Sequence, residues 1–557
     1  MSTTRTSDLW WRNAVIYCLD VDTYLDWDGD GVGDIEGLTE RVDYLAGLGV
    51  TCLWLMPFQP SPGRDDGYDI TDYYAVDPRL GSLGDFVAFI RTAKDRGLKV
   101  IIDLVVNHTS DRHPWFKASR AGPDSPYRDF YVWREEPAEE PKSEPVFPDA
   151  EDSIWTRDEK AGMWYLHHFY SHQPDLNIAN DEVREEIARI AGFWLQLGVD
   201  GFRVDAVPFL LETGGIPGAE QLDPHDLLAD LRSFVSRRNG SAVLLGEVNL
   251  PPDDLVTYFG EENGNELHML TNFPIMQTMY LALARRDSQP LADALQALPE
   301  IPDDSQWANF VRNHDELTLD QLTAEEREEV FAAFGPEEEM RIFDRGIRRR
   351  LPPMFDGDQQ RIRLAYSLLF TLPGTPVLFY GEEIGMGENL DVPGRLSVRT
   401  PMQWDDDPSA GFSTGKPAKL HRPVVSGEFG PMAINVKEQR GRADSLLTWM
   451  QRAIRRRKET PEFGWGRLTV LDSGDSAVLA HSCRWEESTV LAIHNFSPEP
   501  RVVQVTLKPD AEGNLALDDL LDEGSVVEAE DGILELKLDG YGHRWFRARR
   551  PGRPVTP

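Results

Sequence analysis

The stretch VREEIARIAGFWLQLGVDGFRVDAV (183–207) decides the fold. Its first part repeats apolar residues with the period of a helix and ends at Gly198, a typical helix stop. Its second part is a short strand-like run that ends at Asp205. A helix that passes directly into a strand is one unit of an alternating α/β fold.

Strand-like runs of this kind occur eight times in the chain. They lie at 15–22, 51–58, 98–107, 200–207, 242–249, 267–273, 307–313 and 375–383. Helix-period segments, such as 38–49 and 83–97, separate them. Strand and helix repeated eight times predict an α/β fold of the (β/α)₈ TIM barrel type.

Two segments interrupt the alternation of strands and helices, and near the C-terminus the alternation gives way to strand-like runs joined by turns. These features divide the chain into predicted domains. We predict barrel domain A at 1–108 and 175–463, an inserted loop domain B at 109–174, a helical flap at about 317–357 within domain A, and a C-terminal antiparallel β-sandwich, domain C, at 464–557. Domain B follows the third strand, so it should lie over the barrel mouth.

The charge balance narrows the choice of partners. Lys and Arg number 57 against 95 Asp and Glu, giving a net charge of −38. Such a chain repels nucleic acid and anionic membranes and suits a neutral substrate. The three cysteines imply no disulfide framework, and no secretory signal or membrane span is apparent, so we expect a cytoplasmic protein. The oligomeric state stays open, and a homo-oligomer is compatible with the sequence.

Three acids, Asp205, Glu247 and Asp315, each follow a strand-like run. An isolated buried acid is more often an ion pair or a helix cap. Parallel strand ends, however, meet at one face of a barrel. Retaining cleavage of a glycosidic bond needs one nucleophilic carboxylate and one protonated acid about 5 Å apart. The three together therefore predict sugar chemistry.

Five motifs make the prediction more specific. They are DLVVNH (103–108), QPDLN (173–177), GFRVDAV (201–207), GEVN (246–249) and VRNHDE (311–316). In order and spacing they resemble the signature regions of glycoside hydrolase family 13, the α-amylase family, over nearly the whole chain. The resemblance implies that Asp205 is the nucleophile, Glu247 the acid/base, and Asp315 the third acid, which binds sugar hydroxyls.

The resemblance also implies a binding pocket for the reacting glucose. His108 and His314 match residues that bind its hydroxyls. In RDDGYDI (64–70), Asp65 should hold the non-reducing end and Tyr68 should stack on the ring. Arg399 in VRTPMQW (398–404) should pair with Asp65 and close the pocket, which favours small α-glucosides. Arg203 lies two residues before Asp205, on the same face of the strand, and should keep that carboxylate ionised.

Within the family, the runs at 346–351, 371–389 and 398–404 resemble the trehalose-synthase branch, whose members convert maltose to trehalose. That resemblance places Asn249, Glu316 and Asp320 on the acceptor side. Phe209 and Asp320 depart from the branch, which usually has Tyr and a longer acid. An α-glucosidase or another transglucosylase acting on small α-glucosides is therefore the alternative. A catalytically inactive binding subunit is disfavoured because all three acids are present.

Two metal sites are predicted. In DWDGDGVGD, the side chains of Asp26, Asp28, Asp30 and Asp34 and the carbonyl of Val32 have the spacing of a Ca²⁺ loop. Mg²⁺ or no ion at all, in a solvated turn, are the alternatives. The family resemblance implies a second structural Ca²⁺ site, formed by Asn107, Asp175, Glu212 and the carbonyls of Phe209 and Leu210.

Overall fold

A computed structural model describes residues 9–137, 144–213, 216, 219, 222–260, 264–507, 515–522 and 524–549. Eight parallel strands close into a barrel, which confirms the predicted fold. The strands are β1 (Ile16–Leu19), β2 (Cys52–Leu55), β3 (Lys99–Leu104), β4 (Gly201–Val204), β5 (Val243–Gly246), β6 (Met269–Thr271), β7 (Gln306–Phe310) and β8 (Thr375–Phe379). Each strand pairs with its neighbour in chain order, and β1 pairs with β8 to close the ring.

Helices surround the barrel and return the chain to the start of each next strand. The main ones are Ile35–Glu40, Val42–Leu48, Leu83–Asp95, Asp181–Leu197, His225–Arg238, Phe273–Arg285, Gln289–Ala297, Gln359–Thr371 and Leu446–Lys458. Local sequence sets their ends: Ser82 forms a capping box with Asp85, and Gly198 ends its helix at a φ of 109°. The carboxyl ends of all eight parallel strands therefore lie at one face of the barrel.

Two segments interrupt the barrel. The first, after β3, contains a helix at Pro114–Ser119 and an antiparallel sheet of Trp133–Arg134, Met163–Leu166 and Trp155–Asp158. Its acidic residues 138–143 lie outside the described part of the chain. The second segment, after β7, begins with the strand Leu317–Thr318 and the helix Ala324–Phe334.

The second half of that later segment differs from the predicted helical flap. The residues MRIFDRGIRRR form a hairpin in which Arg341–Ile342 pairs with Gly346–Ile347. The chain turns at Phe343 and Asp344, whose φ angles are 57° and 52°. Pairing of Gly346–Ile347 with Leu317–Thr318 extends the hairpin to three strands and outweighs the helix propensity of its Arg and Met residues.

The C-terminal part is the predicted antiparallel sandwich. Its strands are Arg467–Leu471, Val478–Trp485, Ser488–Asn495, Arg501–Thr506, Leu515–Asp519, Val526–Ala529, Ile533–Leu538 and His543–Ala548. They form a six-stranded and a two-stranded sheet with a shared apolar core. Among the described residues, no helix is long and apolar enough to cross a membrane.

A polar contact joins this domain to the barrel helix Gln359–Thr371. Nε2 of His481 lies 3.0 Å from the Thr371 carbonyl oxygen, and Nε2 of His494 lies 2.9 Å from Oγ of Ser367. Both imidazoles are fully buried. Burial lowers the pKa of both His481 and His494, so these imidazoles are neutral in the interface between the C-terminal domain and the barrel.

Candidate active site

The ends of β4 and β5 place two acids side by side. The backbone N–H of Asp205 donates to the Leu104 carbonyl at 3.2 Å, and that of Glu247 donates to Val204 at 3.0 Å. Ala206, which follows Asp205, has a φ of 51°, and its N–H donates to Oε2 of Glu247 at 3.1 Å. The backbone just beyond β4 thus holds the Glu247 carboxylate beside Asp205.

One guanidinium connects the acids at the barrel centre. Arg203 is 1% exposed, and its Nη1 donates to Oδ1 of Asp103 at 2.6 Å and to Oδ1 of Asp205. Its Nη2 lies 2.8 Å from Oε2 of Glu247. Asp103 is in turn bonded by the Trp54 indole at 2.8 Å. Arg203 therefore touches both predicted reacting acids, not Asp205 alone.

Burial controls the ionisation of this pair. Removal from water raises the pKa of Asp205 to about 7 and that of Glu247 to about 7, although Arg203 opposes both shifts. The neighbouring charge of Asp315 adds to the increase in each pKa. The raised pKa values of these two adjacent acids favour a state in which one of them keeps its proton. Retaining glycosidic chemistry needs one ionised and one protonated acid.

Asp315 is held differently. Nε2 of His314 lies 3.0 Å from its Oδ2, Nη2 of Arg399 donates to its Oδ1 at 2.8 Å, and Arg395 bonds the same Oδ1. Burial would raise its pKa, but these three contacts hold the pKa of Asp315 well below its usual range. His314 also contacts the Tyr68 hydroxyl at 2.7 Å. Asp315 is thus held ionised, and its negative charge acts on both Asp205 and Glu247.

The end of the pocket is closed by Arg395, not by Arg399. Nη2 of Arg395 donates to Oδ1 of Asp65 at 2.7 Å, and Gln173 donates to the other oxygen at 2.9 Å. The predicted pairing of Asp65 with Arg399 is wrong. The 3₁₀ turn Gly394–Val398 directs Arg395 into the cavity, whereas Arg399 lies behind it, 1% exposed.

Arg399 instead belongs to a buried charge cluster behind the pocket, formed by Asp20, Asp22, Asp66, Arg399 and Arg422. Arg399 donates to Asp66 at 2.7 Å, and Arg422 bonds the other oxygen of Asp66. Nη1 of Arg422 lies 3.7 Å from Asp20, and its Nη2 lies 3.7 Å from Asp22. Two arginines therefore stabilise three carboxylates whose oxygens lie within 4.8 Å of one another.

The site opens into a cavity of about 480 Å³. Its walls include these predicted residues: Asp65, Tyr68, His108, Asp205, Phe209, Glu212, Glu247, Asn249, Asp315, Glu316 and Asp320. His108 lies at the wall, with Nε2 at 3.1 Å from the Tyr68 carbonyl. Phe209 presents its ring to Phe169 at 5.3 Å between centroids.

The segment 144–148, called the roof below, lines the cavity. Phe147 lies 4.6 Å beneath the Arg395 guanidinium, and Nη2 of Arg345 donates to the Val146 carbonyl at 2.8 Å. The same Arg345 nitrogen lies 3.5 Å from Glu316. The two barrel insertions therefore contact each other at the wall of the cavity.

Asn249 and Asp320, which are predicted to lie on the acceptor side, both line the cavity. Nδ2 of Asn249 lies 3.0 and 2.8 Å from the two oxygens of Asp320. Gln277, which is 0% exposed, donates to Oδ1 of Asp320 at 3.0 Å. Asp320, which stands where related proteins have a longer acid, thus accepts hydrogen bonds from two side-chain amides, those of Asn249 and Gln277.

The first predicted metal loop brings three of its four acids together. Carboxylate oxygens of Asp26, Asp28 and Asp34 lie within 4.8 Å of one another. Asp30 stands apart and accepts from the N–H of Val32 at 2.8 Å. Gly29 and Gly31 have φ angles of 80° and 105°, which a side chain would strain. The donor set fits a hard divalent cation.

The second predicted metal site is only partly assembled. Asn107 donates to Asp175 at 3.2 Å, and Asp175 is also paired with His168. Neither Asp175 nor Glu212 belongs to a cluster of three or more potential acidic, His or Cys ligands in the part of the chain that is described. The carbonyls of Phe209 and Leu210 stay predicted ligands.

The sequence reasoning missed Arg395, Gln173, Arg345 and Gln277 as individual site residues. Gln173 lies within the quoted QPDLN motif, and Arg395 lies four residues before Arg399 in GRLSVR. Gln277 is a lone amide in the apolar helix FPIMQTMYLALA, which is a usable signal. Arg345 had no signal, because its position depends on the hairpin.

Two family models match the chain. The family model of the α-amylase catalytic domain matches residues 20–333 and 348–466. The family model of the sucrose hydrolase-like C-terminal domain matches residues 488–547.

The trehalose synthase of Pimelobacter sp. (strain R48) is 41% identical, over 98% of this chain and 97% of that protein. The trehalose synthase/amylase of Mycolicibacterium smegmatis is 41% identical, over 98% and 94%. The crystal structure of the trehalulose synthase from Pseudomonas mesoacidophila MX-45 has a TM-score of 0.76 and 27% identity, over 97% and 99%.

Proposed function

The chain belongs to the α-amylase family, and we propose that it is a retaining α-glucosyl enzyme that converts maltose to trehalose inside one closed site. The proposal is carried by the pair Asp205 and Glu247, which contact one guanidinium at the wall of the cavity and whose pKa values are both raised by burial. The similarity to trehalose synthases over nearly the full length supports this choice of substrate.

In the first step, a carboxylate oxygen of Asp205 attacks the anomeric carbon of the non-reducing glucose of maltose. Glu247 gives its proton to the glycosidic oxygen, and the bond to the second glucose breaks. Asp315, held ionised, accepts bonds from hydroxyls of the distorted ring. Asp65 and Arg395 close the far end, so that one glucosyl unit fits on the donor side.

In the second step, the freed glucose turns over without leaving the cavity. Its anomeric hydroxyl gives a proton to Glu247 and attacks the carbon bonded to Asp205, which releases the carboxylate. Two inversions at the same carbon retain its configuration. In this proposal the roof at 144–148, which lines the cavity, keeps water from taking the glucosyl unit.

The experiment is incubation of purified protein with maltose, with anomeric protons followed by NMR. Trehalose with little free glucose supports the proposal. Glucose alone would refute isomerisation and identify an α-glucosidase. Both products should disappear in Asp205→Ala, and unchanged turnover in that variant would remove Asp205 from the mechanism.

We also propose a structural Ca²⁺, or Mg²⁺, held by Asp26, Asp28 and Asp34. Chelation should lower the melting temperature, and Ca²⁺ should restore it. Asp26→Asn should abolish this response, whereas the matched variant Asp30→Asn should keep most of it, because Asp30 lies outside the carboxylate cluster. A melting temperature that ignores chelator in the unaltered chain would contradict the site.

A cytoplasmic location is part of the proposal. Cys18, Cys52 and Cys483 are all free and buried, which suits a reducing compartment. Cell fractionation tests it, and recovery of the protein outside the cytoplasm would overturn it.

A further inference from the structure

Gln277 stands behind the acceptor wall in a position that the proposed mechanism does not use. It lies four residues after Phe273 on the helix Phe273–Arg285, and therefore on the same face. Phe273 lines the cavity in the first turn, and that helix begins where β6 ends, at the catalytic face of the barrel. Gln277 itself is 0% exposed.

The orientation of the Gln277 amide is fixed by its two neighbours. Its Oε1 accepts from the N–H of Gln321 at 2.9 Å, and its Nε2 donates to Oδ1 of Asp320 at 3.0 Å. A flipped amide would place oxygen against a carboxylate and N–H against N–H. Gln277 is therefore necessarily the donor to Asp320.

Asn249 completes the arrangement from the other side. It directs Nδ2 at both oxygens of Asp320, and its own Oδ1 is buried with no hydrogen-bond partner among the described residues. Asp320 is bonded by amides at both oxygens, so its carboxylate plane is set. Asp320 is exposed at the cavity wall, so its remaining lone pairs are left for sugar hydroxyls.

We propose that Gln277 is a positioning residue that fixes the Asp320 carboxylate against the acceptor sugar, and so determines how the glucosyl-enzyme divides between sugar and water. The inference rests on the proposed function for the identity of the acceptor. A carboxylate that is free to rotate would hold the departing glucose less well, and water would capture more of the intermediate.

The test uses an aryl α-glucoside as donor and ¹³C-labelled glucose as acceptor. Nitrophenolate release reports formation of the glucosyl-enzyme. Labelled disaccharide reports transfer, and unlabelled glucose reports hydrolysis. Gln277→Met should raise the ratio of hydrolysis to transfer about tenfold, the size of one hydrogen bond to a charged group, while nitrophenolate release changes less than about threefold.

Two further variants separate positioning from packing. Gln277→Glu keeps the acceptor for Gln321 but places a negative charge against Asp320, so it should raise the ratio more than Gln277→Met. Gln277→Met is also made in an Asp320→Asn background: if Gln277 acts through Asp320, it should change the ratio much less there than in the unaltered enzyme. Gln289→Met is the matched control, because it removes a similar amide contact, to Asp293, at the exposed surface.

An unchanged ratio in both Gln277 single variants would overturn the inference. An equal effect of Gln277→Met in the unaltered enzyme and in the Asp320→Asn background would also overturn it and indicate general packing. If a Gln277 variant fails to fold, as its melting curve would reveal, the remaining single and double variants decide. Failure of the unaltered enzyme to make trehalose from maltose would refute the proposed function alone, since the transfer ratio is read with a different donor.

Discussion

Replacement of Arg422 by Met should expose how strongly the buried charge cluster stabilises the barrel. Arg422 is 5% exposed, and its guanidinium forms ion pairs with Asp66, Asp20 and Asp22. Without it, the three carboxylates, whose oxygens lie within 4.8 Å of one another, lose the guanidinium that lies within 3.7 Å of all three, although Arg399 still bonds Asp66. Removing one partner from a buried ion pair costs about 3–5 kcal/mol.

The pH dependence has a defined sign. Burial opposes ionisation of Asp66, but the two arginines hold its pKa well below the usual range, so its stabilisation is present above the unfolded pKa of about 3.9 and is lost below it. In Arg422→Met the acids lose that support and take up a proton at higher pH. The deficit relative to the unaltered chain should therefore be larger at pH 7.5 than at pH 5.5.

Urea unfolding followed by tryptophan fluorescence measures the effect. A slope of about 3 kcal/mol per M converts the expected loss into a midpoint roughly 1 M lower. Adding Asp66→Asn should recover part of it. Arg467→Met is the matched control, because Arg467 and Glu300 form a pair that is 85% and 91% exposed, and it should cost less than about 1 kcal/mol. A loss as small as the control, or one that is independent of pH, would refute the reasoning.

Three other changes test the site and the domain interface. Glu247→Gln should lower turnover of maltose about 10²–10⁴-fold but hardly slow the first-turnover burst of nitrophenolate from an aryl α-glucoside, whose leaving group needs little protonation; an equal loss of the burst rate would contradict the acid role. Arg395→Met opens the end of the pocket beside Asp65, so the preference for maltose over maltotriose should fall, as competing-substrate assays would show; an unaltered preference would count against Arg395 as the closing residue. Burial lowers the pKa of His481 to about 4 from about 6.5, so the unfolded chain binds a proton that the folded chain rejects, and stability should fall as pH drops below about 6.5, by about 2 kcal/mol at pH 5. His481→Gln should reduce that acid dependence in melting experiments, and an identical dependence would show that other groups cause it.

Most of the barrel could be predicted from the sequence because strand and helix periods are local properties. The run 200–207 predicts a strand from its own residues, without knowledge of its neighbours in space, and β4 occupies Gly201–Val204 within it. The three acids were found for the same reason, since each follows a strand end. The pairing of Asp65 could not be found in this way. It depends on a 3₁₀ turn that decides which of two arginines, four residues apart, enters the cavity.

Tertiary contacts also explain the other misses. The residues 340–350 favour a helix by composition, yet pairing with Leu317–Thr318 makes them a hairpin. Only that hairpin brings Arg345 to the roof. Gln277 has a local signal, a polar residue in an apolar helix, but its partner Asp320 is 43 residues away.

The roof has a consequence for engineering by recombination. Val146 and Phe147 are tied to Arg345 and Arg395, which belong to two later and separate parts of the chain. Residues 109–174 are thus not an interchangeable cassette, although they look like a self-contained insertion in the sequence. A chimera that imports this segment from a relative must import the hairpin and the 3₁₀ turn with it, and breakpoints for shuffling are better placed in the outer helices.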